Sequence, residues 1–479
     1  MEEGENFDDY VILDGSSDAF STEQILPANL ELVEKIKSLD FQPTRQMSEP
    51  PDLFTHDDGT YETKLIKSKR NHFDAASSSF LAYLPLSFWK IVVNESNEYA
   101  GATSDKPITL DELLRFLGIL FYMTIVDKGE YSNYWGGQVE DQIFGESSAS
   151  VGLDSVMKLK RFQYIRKNLS FRSKVTEREL KRDTVARIRP LLNMLKYTST
   201  KYVVVGRNVA VDESSIACRS KYERHLIVFN SSKPTGKFHF KIYACCCATS
   251  WLMISFRLHC ASELEDRWRN VISSREAKSL DDRLQFSSAI RQIVLEVTQP
   301  LHQTKRIVNT DNFYTSVQLL LNLRDVGMYG RGTIRENSAQ FPKAHMFAKK
   351  ANEPRGSSLQ GVSSTSQIIA ASWMDGSAVN IISNADSSGM GEVSRLIGKE
   401  HLQFPAPKCV AEYNKHMQGV DRLDQLRAKY SLADGHSMKK WHKKLALAFI
   451  DIARVNAYVT MWMRKDPDER PQRINTASS

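Results

Sequence analysis

The stretch Arg306-Ile307-Val308-Asn309-Thr310-Asp311-Asn312-Phe313-Tyr314-Thr315-Ser316 decides the fold. Ile307 and Val308 suit a buried strand, and Thr310 to Ser316 carry turn and N-cap chemistry. Val317, Leu319, Leu320, Leu321 and Leu323 then supply the apolar face of a helix. Asp311 is thereby delivered to the carboxyl end of a strand. A lone aspartate there reads equally as an N-cap or a solvated loop carboxylate, because Asp is a favoured cap. Two other acidic sites bear on the choice.

Upstream, Tyr202-Val203-Val204-Val205-Gly206-Arg207-Asn208-Val209-Ala210-Val211-Asp212-Glu213 is a second β-branched run ending in a carboxylate, so Asp212 is expected at the end of a first strand. Downstream, Tyr413-Asn414-Lys415-His416-Met417-Gln418-Gly419-Val420-Asp421-Arg422-Leu423-Asp424-Gln425 is expected to be helical, with Asp421 and Asp424 three apart on one face. Two carboxylates about 4 Å apart repel by roughly 4 kcal/mol at an effective dielectric of about 20. Folding that gathers such groups therefore calls for protons or for hard divalent cations, which accept oxygen ligands. A pair of such ions can stabilise the attacking and leaving oxygens of a phosphodiester displacement.

The residues between these sites set the order of elements. Lys237 to Ala244 shows part of a two-residue alternation, and Trp251 to Leu258 is the next apolar run. A helix from about Arg275 to Val297 is expected before the strand at Ile307. Three strands, a helix, a fourth strand, a helix and a fifth strand give an α/β fold with a ribonuclease H-like core.

Asp311-Asn312-Phe313-Tyr314-Thr315-Ser316, with Gly327-Met328-Tyr329-Gly330-Arg331-Gly332-Thr333-Ile334-Arg335, resembles the second-aspartate block of the piggyBac-type DDE transposases and the host proteins derived from them. Tyr413-Asn414-Lys415 followed by Gly419-Val420-Asp421 and Asp424-Gln425 resembles the third block, and Asp212-Glu213 with Lys233-Pro234 and Lys237 to Lys241 resembles the first less closely. The resemblance implies a mixed five-stranded sheet with flanking helices, interrupted by an insertion and preceded by a mainly helical region. It implies a catalytic, metal-holding triad of Asp212, Asp311 and Asp421, with Asp424 a further acidic residue of the site. Two Mg²⁺ (or Mn²⁺) ions, DNA cleavage and strand transfer at TTAA targets, a homodimer and a nuclear location follow as expectations. A DNA-binding or chromatin protein that has lost cleavage is the other class. The chain departs from the family in having Cys218 before Arg219 where a glycine is usual. It also has no cysteine after Cys409, so no cysteine-rich zinc module is expected.

The charge distribution agrees with a polyanionic partner. Over 479 residues the net charge is +7, but residues 1–60 hold 15 Asp and Glu against 3 Lys and Arg, leaving 61 basic against 42 acidic in the remainder. A basic body suits DNA phosphates. Residues 1–60 are read as an acidic, disordered tail without a secretory signal. Residues 61–202 are read as a helical region, and the resemblance implies that it binds DNA and pairs protomers. Within it, Leu113 to Val126 is a buried helix too short to span a bilayer, started by a capping box of Thr109 and Glu112. The basic run carrying Lys158, Lys160, Arg161, Arg166 and Lys167, together with Lys233 and Lys237, supplies candidate phosphate contacts. Lys64, Lys67, Lys69 and Arg70 form a weak nuclear-import cluster.

The core is expected over 203–340, an insertion over 341–408 with Arg355 to Gln367 mobile, closing helices over 409–464 and a polar tail over 465–479. Trp373 in the insertion is a hairpin or core residue, or else a base-stacking one. Ser231 to Phe238 lacks the first glycine and the hydroxyl residue of a phosphate-binding loop, so no nucleotide cofactor is expected, and no membrane segment is either. Cys218, Cys245, Cys246, Cys247, Cys260 and Cys409 read as free buried thiols, and His239, His259 and His416 as structural or surface residues.

Overall fold

The computed structural model describes residues 38–101, 106–136, 152–218, 226–231, 236–259, 289–348 and 350–465. Residues 1–37, 275–288 and 466–479, which fall in the expected acidic tail, the expected helix before Ile307 and the expected polar tail, lie outside the described residues, as does Cys260.

Two short strands, β1 (Phe41–Gln42) and β2 (Lys64–Leu65), precede a helical layer: α1 (Ala76–Tyr83), α2 (Leu86–Ala100), α3 (Leu110–Ile125), α4 (Leu159–Asn168), α5 (Glu177–Arg182) and α6 (Arg189–Ser199). The capping box forms as expected. Glu112 N–H donates to Thr109 Oγ1 at 3.2 Å and Thr109 N–H to Glu112 Oε2 at 3.0 Å, so two otherwise unpartnered donors are satisfied. Helix α3 then buries Leu113, Phe116, Leu117 and Leu120. Helix α2 stops at Gly101, whose φ of +71° suits a residue without Cβ.

After β3 (Val203–Val204), which pairs with β2, the sheet follows: β4 (Asn208–Ala217), β5 (Ile227–Phe229), β6 (Phe238–Cys247), β7 (Met253–Leu258), helix α7 (Ala289–Thr298), β8 (Ile307–Thr310), helix α8 (Val317–Asp325) and β9 (Tyr329–Thr333). Its centre runs β7-β6-β4-β8-β9. β6 runs antiparallel to its neighbours β7 and β4, and β4, β8 and β9 are parallel. This is the ribonuclease H-like arrangement.

The sheet is wider than five strands. The insertion contributes β10 (Ser358–Ser363), β11 (Ile368–Met374) and β12 (Ala378–Ser383), and β12 pairs antiparallel with β9. The edge that β9 would expose is thereby covered, and the described sheet reaches ten strands. The stretch expected to be mobile, Arg355 to Gln367, contains β10, which pairs with both β11 and β1. Small residues made it read as loop, yet Gly361, Ala370, Ala371 and Ser372 are buried within this meander. The ribbon of β13 (Met390–Ile397) and β14 (Glu400–Pro407) stands apart from the sheet, as does the short pair β2–β3. Trp373 is core: 1% exposed, with its indole N–H donating to Pro405 O at 2.8 Å.

The disordered-tail expectation is corrected for residues 38–60. Phe41 and Leu53 are buried, β1 completes the sheet edge, and the Tyr329 hydroxyl donates to Asp52. A few apolar anchors in an acidic stretch were enough to hold it, because the receiving surface is itself apolar.

The chain closes with α9 (Lys408–His416), α10 (Gly419–Ala428), α11 (Leu432–Gly435) and α12 (Trp441–Arg464). Helix α12 is long and apolar enough to cross a membrane by length and composition, but 78% of its apolar window is buried inside the molecule. It is the spine joining the helical layer to the sheet, in one continuous apolar core from Phe73 to Val459. Its polar side chains act as pins. Asn456 accepts from Met253 N–H and donates to Met253 O, both at 2.9 Å, and Thr460 Oγ1 lies 2.7 Å from Tyr83 Oη.

Candidate functional site

Strand β4 carries Asp212 in its middle rather than at its end, a correction to the expected position. The apolar run stops at Val211, but the strand continues as Glu213-Ser214-Ser215-Ile216-Ala217 against β6. Its parallel neighbour β8 ends at Thr310, opposite Val211. The next residues along the two strands are Asp212 and Asp311, which therefore stand level where the parallel ladder stops.

Asp311 does not cap the following helix. Ser316 does, its Oγ accepting from Leu319 N–H at 3.1 Å. Asp311 instead closes a turn, with Oδ1 accepting from Phe313 N–H at 3.0 Å and its carbonyl accepting from Thr315 N–H at 3.0 Å. Thr315 Oγ1 donates to Asp311 O at 2.7 Å and lies 2.7 Å from Thr310 Oγ1. Gly332 leaves room for this knot, since a Cβ there would lie 2.1 Å from Thr315 Oγ1 and 2.3 Å from Thr310 O.

The third aspartate arrives on α10. Gly419 lets that helix touch the sheet: an added Cβ would lie 3.0 Å from Ala210 Cβ and 3.1 Å from Cys247 O. Asp421 follows in the first turn, where the helix dipole favours an anion, and is exposed. Asp424, the further acidic residue, is engaged with the strand: its Oδ1 accepts from Ser214 Oγ at 2.7 Å and its Oδ2 from Ser215 N–H at 3.3 Å.

Electrostatics bring the three together. Burial, followed by the charges of Asp311 and Asp421, pushes the Asp212 carboxyl up to about 7, against the pull of Glu213 N–H at 2.7 Å. Burial also raises Asp311, with Glu213 adding to the rise and the N–H groups of Phe313 and Tyr314 opposing it. On α9, the buried Tyr413 phenol is pushed up to about 12, chiefly by burial and then by Asp311, Asp212 and Asp421. All three carboxylates thus act on one hydroxyl.

The donor set is carboxylate oxygen throughout, which is the chemistry hard divalent ions accept. Among the described residues no three His, Cys, Asp or Glu side chains stand close enough together to hold an ion. The donors fit a divalent cation in kind.

Three residues of this neighbourhood were not singled out from sequence. Tyr413 lay in a recognised block without a role. Glu213 pairs with Lys241, whose ammonium also lies 5.0 Å from the Phe313 ring and 5.1 Å from the Tyr243 ring. The buried Tyr314 hydroxyl has no hydrogen-bond partner among the described residues and feels Glu213, Asp212 and Asp311. No spacing rule marks any of them, because each is brought in by strand register or by a preceding turn.

The candidate phosphate contacts divide. Lys158, Lys160 and Lys167 on or beside α4 are exposed, as is Lys237 at the start of β6. Arg161 is taken up in structure, donating to Glu112, Lys106 O and Pro107 O at 2.7 to 2.9 Å. Arg166 lies over the Tyr131 ring at 4.6 Å and donates to Ser437 O. Lys233 lies outside the described residues. Cys245, Cys246, Cys247 and Cys409 are free and buried, Cys218 is buried, and His239 and His416 are buried in backbone contacts.

A family model described as Transposase IS4 matches residues 75–458, from the start of α1 into the last turns of α12. The chain belongs to this family, in its piggyBac type. Among curated proteins it is 25% identical over 388 residues to human PiggyBac transposable element-derived protein 3, covering 80% of this chain and 60% of that one. It is 26% identical over 374 residues to human PiggyBac transposable element-derived protein 2, covering 77% and 58%. The chain therefore spans about three fifths of the length of these relatives. A solved piggyBac transposase, from a cryo-EM synaptic complex with hairpin DNA, superposes with a TM-score of 0.63 at 19% identity, covering 84% of this chain and 78% of that one. The piggyBac-type fold is shared, with the aspartates of β4, of the β8–α8 turn and of α10 on its central strands and closing helix.

Proposed function

We propose that this piggyBac-type chain cleaves and joins DNA strands, with Asp212, Asp311 and Asp421 holding two Mg²⁺ or Mn²⁺ ions. The carrying observation is the register that leaves Asp212 and Asp311 side by side where β4 and β8 part, with Gly419 seating the helix that carries Asp421 against Ala210 of β4. When bound, divalent ions would supply charge stabilisation for the attacking and leaving oxygens of a phosphodiester. The chain's own part is positional. The knotted turn fixes Asp311, strand β4 fixes Asp212, and the first turn of α10 presents Asp421 toward solvent, from which a phosphodiester arrives. Exposed Lys158, Lys160, Lys167 and Lys237 would hold the DNA backbone without reading sequence.

Cut-and-paste movement at TTAA targets, pairing of two protomers and a nuclear location belong to the same proposal. Excising an element requires cleavage at both ends, and its chromosomal substrate is nuclear. Light scattering of the pure protein reads the pairing.

A second function, DNA binding without cleavage, is favoured by one observation: the described acidic side chains are not gathered at ligating spacing. Nicking of supercoiled duplex DNA separates the two. Metal-dependent nicking by the wild type that Asp311→Asn abolishes supports cleavage. Salt-sensitive binding with no nicking in Mg²⁺ or Mn²⁺ supports the second function, and nicking that survives Asp311→Asn contradicts the assigned site.

A further inference from the structure

Strand β4 outruns its parallel neighbour. β8 ends at Thr310, opposite Val211, so on that side β4 has no described sheet partner from Asp212 onward. Ile307 N–H donates to Arg207 O at 2.8 Å, which sets the direction of the odd-numbered peptide groups on this edge. By the two-residue alternation, Glu213 and Ser215 turn their N–H and C=O groups the same way. Such groups must find partners other than a strand.

Side chains supply them. Glu213 N–H donates to Asp212 Oδ1 at 2.7 Å. Ser215 N–H donates to Asp424 Oδ2 at 3.3 Å, and Arg427 Nη2 donates to Ser215 O at 2.9 Å. Asp424 Oδ1 accepts from Ser214 Oγ at 2.7 Å and from Arg427 Nε at 3.3 Å. One acidic and one basic residue, three apart on α10, thus offer Ser215 the acceptor and donor that a neighbouring strand would have offered. The Arg427 side chain is only 6% exposed.

We propose that Asp424 and Arg427 are positioning residues, a side-chain clamp that seats α10 on the bare edge of β4 and sets where Asp421 stands relative to Asp212. Asp424 is then not an ion ligand. The geometry leaves the clamp little slack. Asp421 lies one turn before Asp424 on the same helix, and Asp212 lies two residues before Ser214 on the same strand. The close approach of Gly419 to Ala210 fixes the helix at its other end. The clamp rests on the proposed function only in what it serves, namely the ion-holding set.

The test combines a thermal-shift titration with MnCl₂ and amide hydrogen exchange at Ser215, in wild type, Asp424→Asn, Arg427→Gln, Arg427→Lys and the double variant Asp424→Asn/Arg427→Gln. Loss of an outer partner of a metal ligand weakens metal binding on the order of 10- to 100-fold. A rise of that size in the half-saturating Mn²⁺ concentration is expected for Arg427→Gln and Asp424→Asn alike. The double variant should be no worse than the weaker single, Arg427→Lys should recover part of the loss, and Ser215 exchange should accelerate. Loss of the Mn²⁺ response in Asp424→Asn, with Arg427→Gln at the wild-type value, overturns the clamp and makes Asp424 a ligand. If Arg427→Gln does not fold, Arg427→Lys is read against the same values. If wild type shows no Mn²⁺ response, the ion-holding function fails and exchange alone decides the clamp: faster exchange at Ser215 with β9 unchanged keeps it, and unchanged exchange overturns it.

Discussion

Arg331 and Asp386 meet through two hydrogen bonds, Nε to Oδ2 at 2.7 Å and Nη2 to Oδ1 at 2.6 Å, with both side chains at most 2% exposed. The pair ties β9 to the turn after β12 and so fastens the insertion to the central sheet. Asn208 and Asn309 accept from Arg331 Nη1, and Ser383 Oγ donates to Asp386, so the network reaches β4 and β8 as well. Removing one partner strands a buried charge, which costs about 3–5 kcal/mol. Arg331→Met should therefore unfold at markedly lower denaturant, and the double variant Arg331→Met/Asp386→Leu should recover much of the loss. Chemical denaturation of the two variants checks this.

The Asp212 carboxyl gives a stability signature with a defined sign. Its folded value of about 7 lies above the ordinary 3.8 of an exposed aspartate. Below about pH 4 both states are protonated and nothing is lost. Between about pH 4 and 7 the unfolded chain releases the proton first, so stability falls as pH rises. Asp212→Asn removes this loss and should be more stable than wild type by about 2–4 kcal/mol at pH 8, with little difference at pH 4. Melting curves at the two pH values read the difference.

Lysines and arginines of the α4 region should behave as separate classes. Replacing exposed Lys160 or Lys167 with Ala should weaken DNA binding, lower the log–log salt slope by about one each and leave the melting temperature unchanged. Arg161→Ala breaks contacts to Glu112, Lys106 and Pro107 and should destabilise by about 1–3 kcal/mol instead. Fluorescence anisotropy across a salt series, paired with thermal melts, distinguishes them.

Gly332→Ala should disturb the Asp311 turn. The added methyl meets Thr315 Oγ1 and Thr310 O well inside contact distance, and neither the strand backbone nor the knotted hydroxyls can withdraw. A loss of about 2–4 kcal/mol is expected, together with a fall in any metal-dependent nicking. Gly118→Ala, at an exposed position in the middle of α3 with nothing within 4 Å of the added Cβ, is the control and should stabilise by about 0.5–1 kcal/mol without touching nicking.

What the sequence disclosed was local. The Ile307–Thr310 strand, the Ser316-capped helix after it and the Thr109 capping box each sit in a short window where periodicity and cap chemistry agree. The order of strands around Asp212 and Asp311 follows from the same signals. Long-range pairings were not legible. Asp212 read as a strand end because apolar residues stop at Val211, whereas the polar continuation to Ala217 is held by β6 on one edge and by α10 side chains on the other. Arg331 and Asp386 are 55 residues apart with no spacing rule between them. Phe41 gave no sign that an acidic stretch would add a strand to a sheet edge formed by residues as distant as Ser363.

Where a divalent cation settles tests the carboxylate centre most directly. Crystals of the protein soaked in MnCl₂ and measured at the manganese absorption edge should show anomalous density among the carboxylates of Asp212, Asp311 and Asp421, with Asp424 still bonded to Ser214. Density absent from that region, or centred on other side chains, would contradict the assignment of these aspartates as the ion-holding centre.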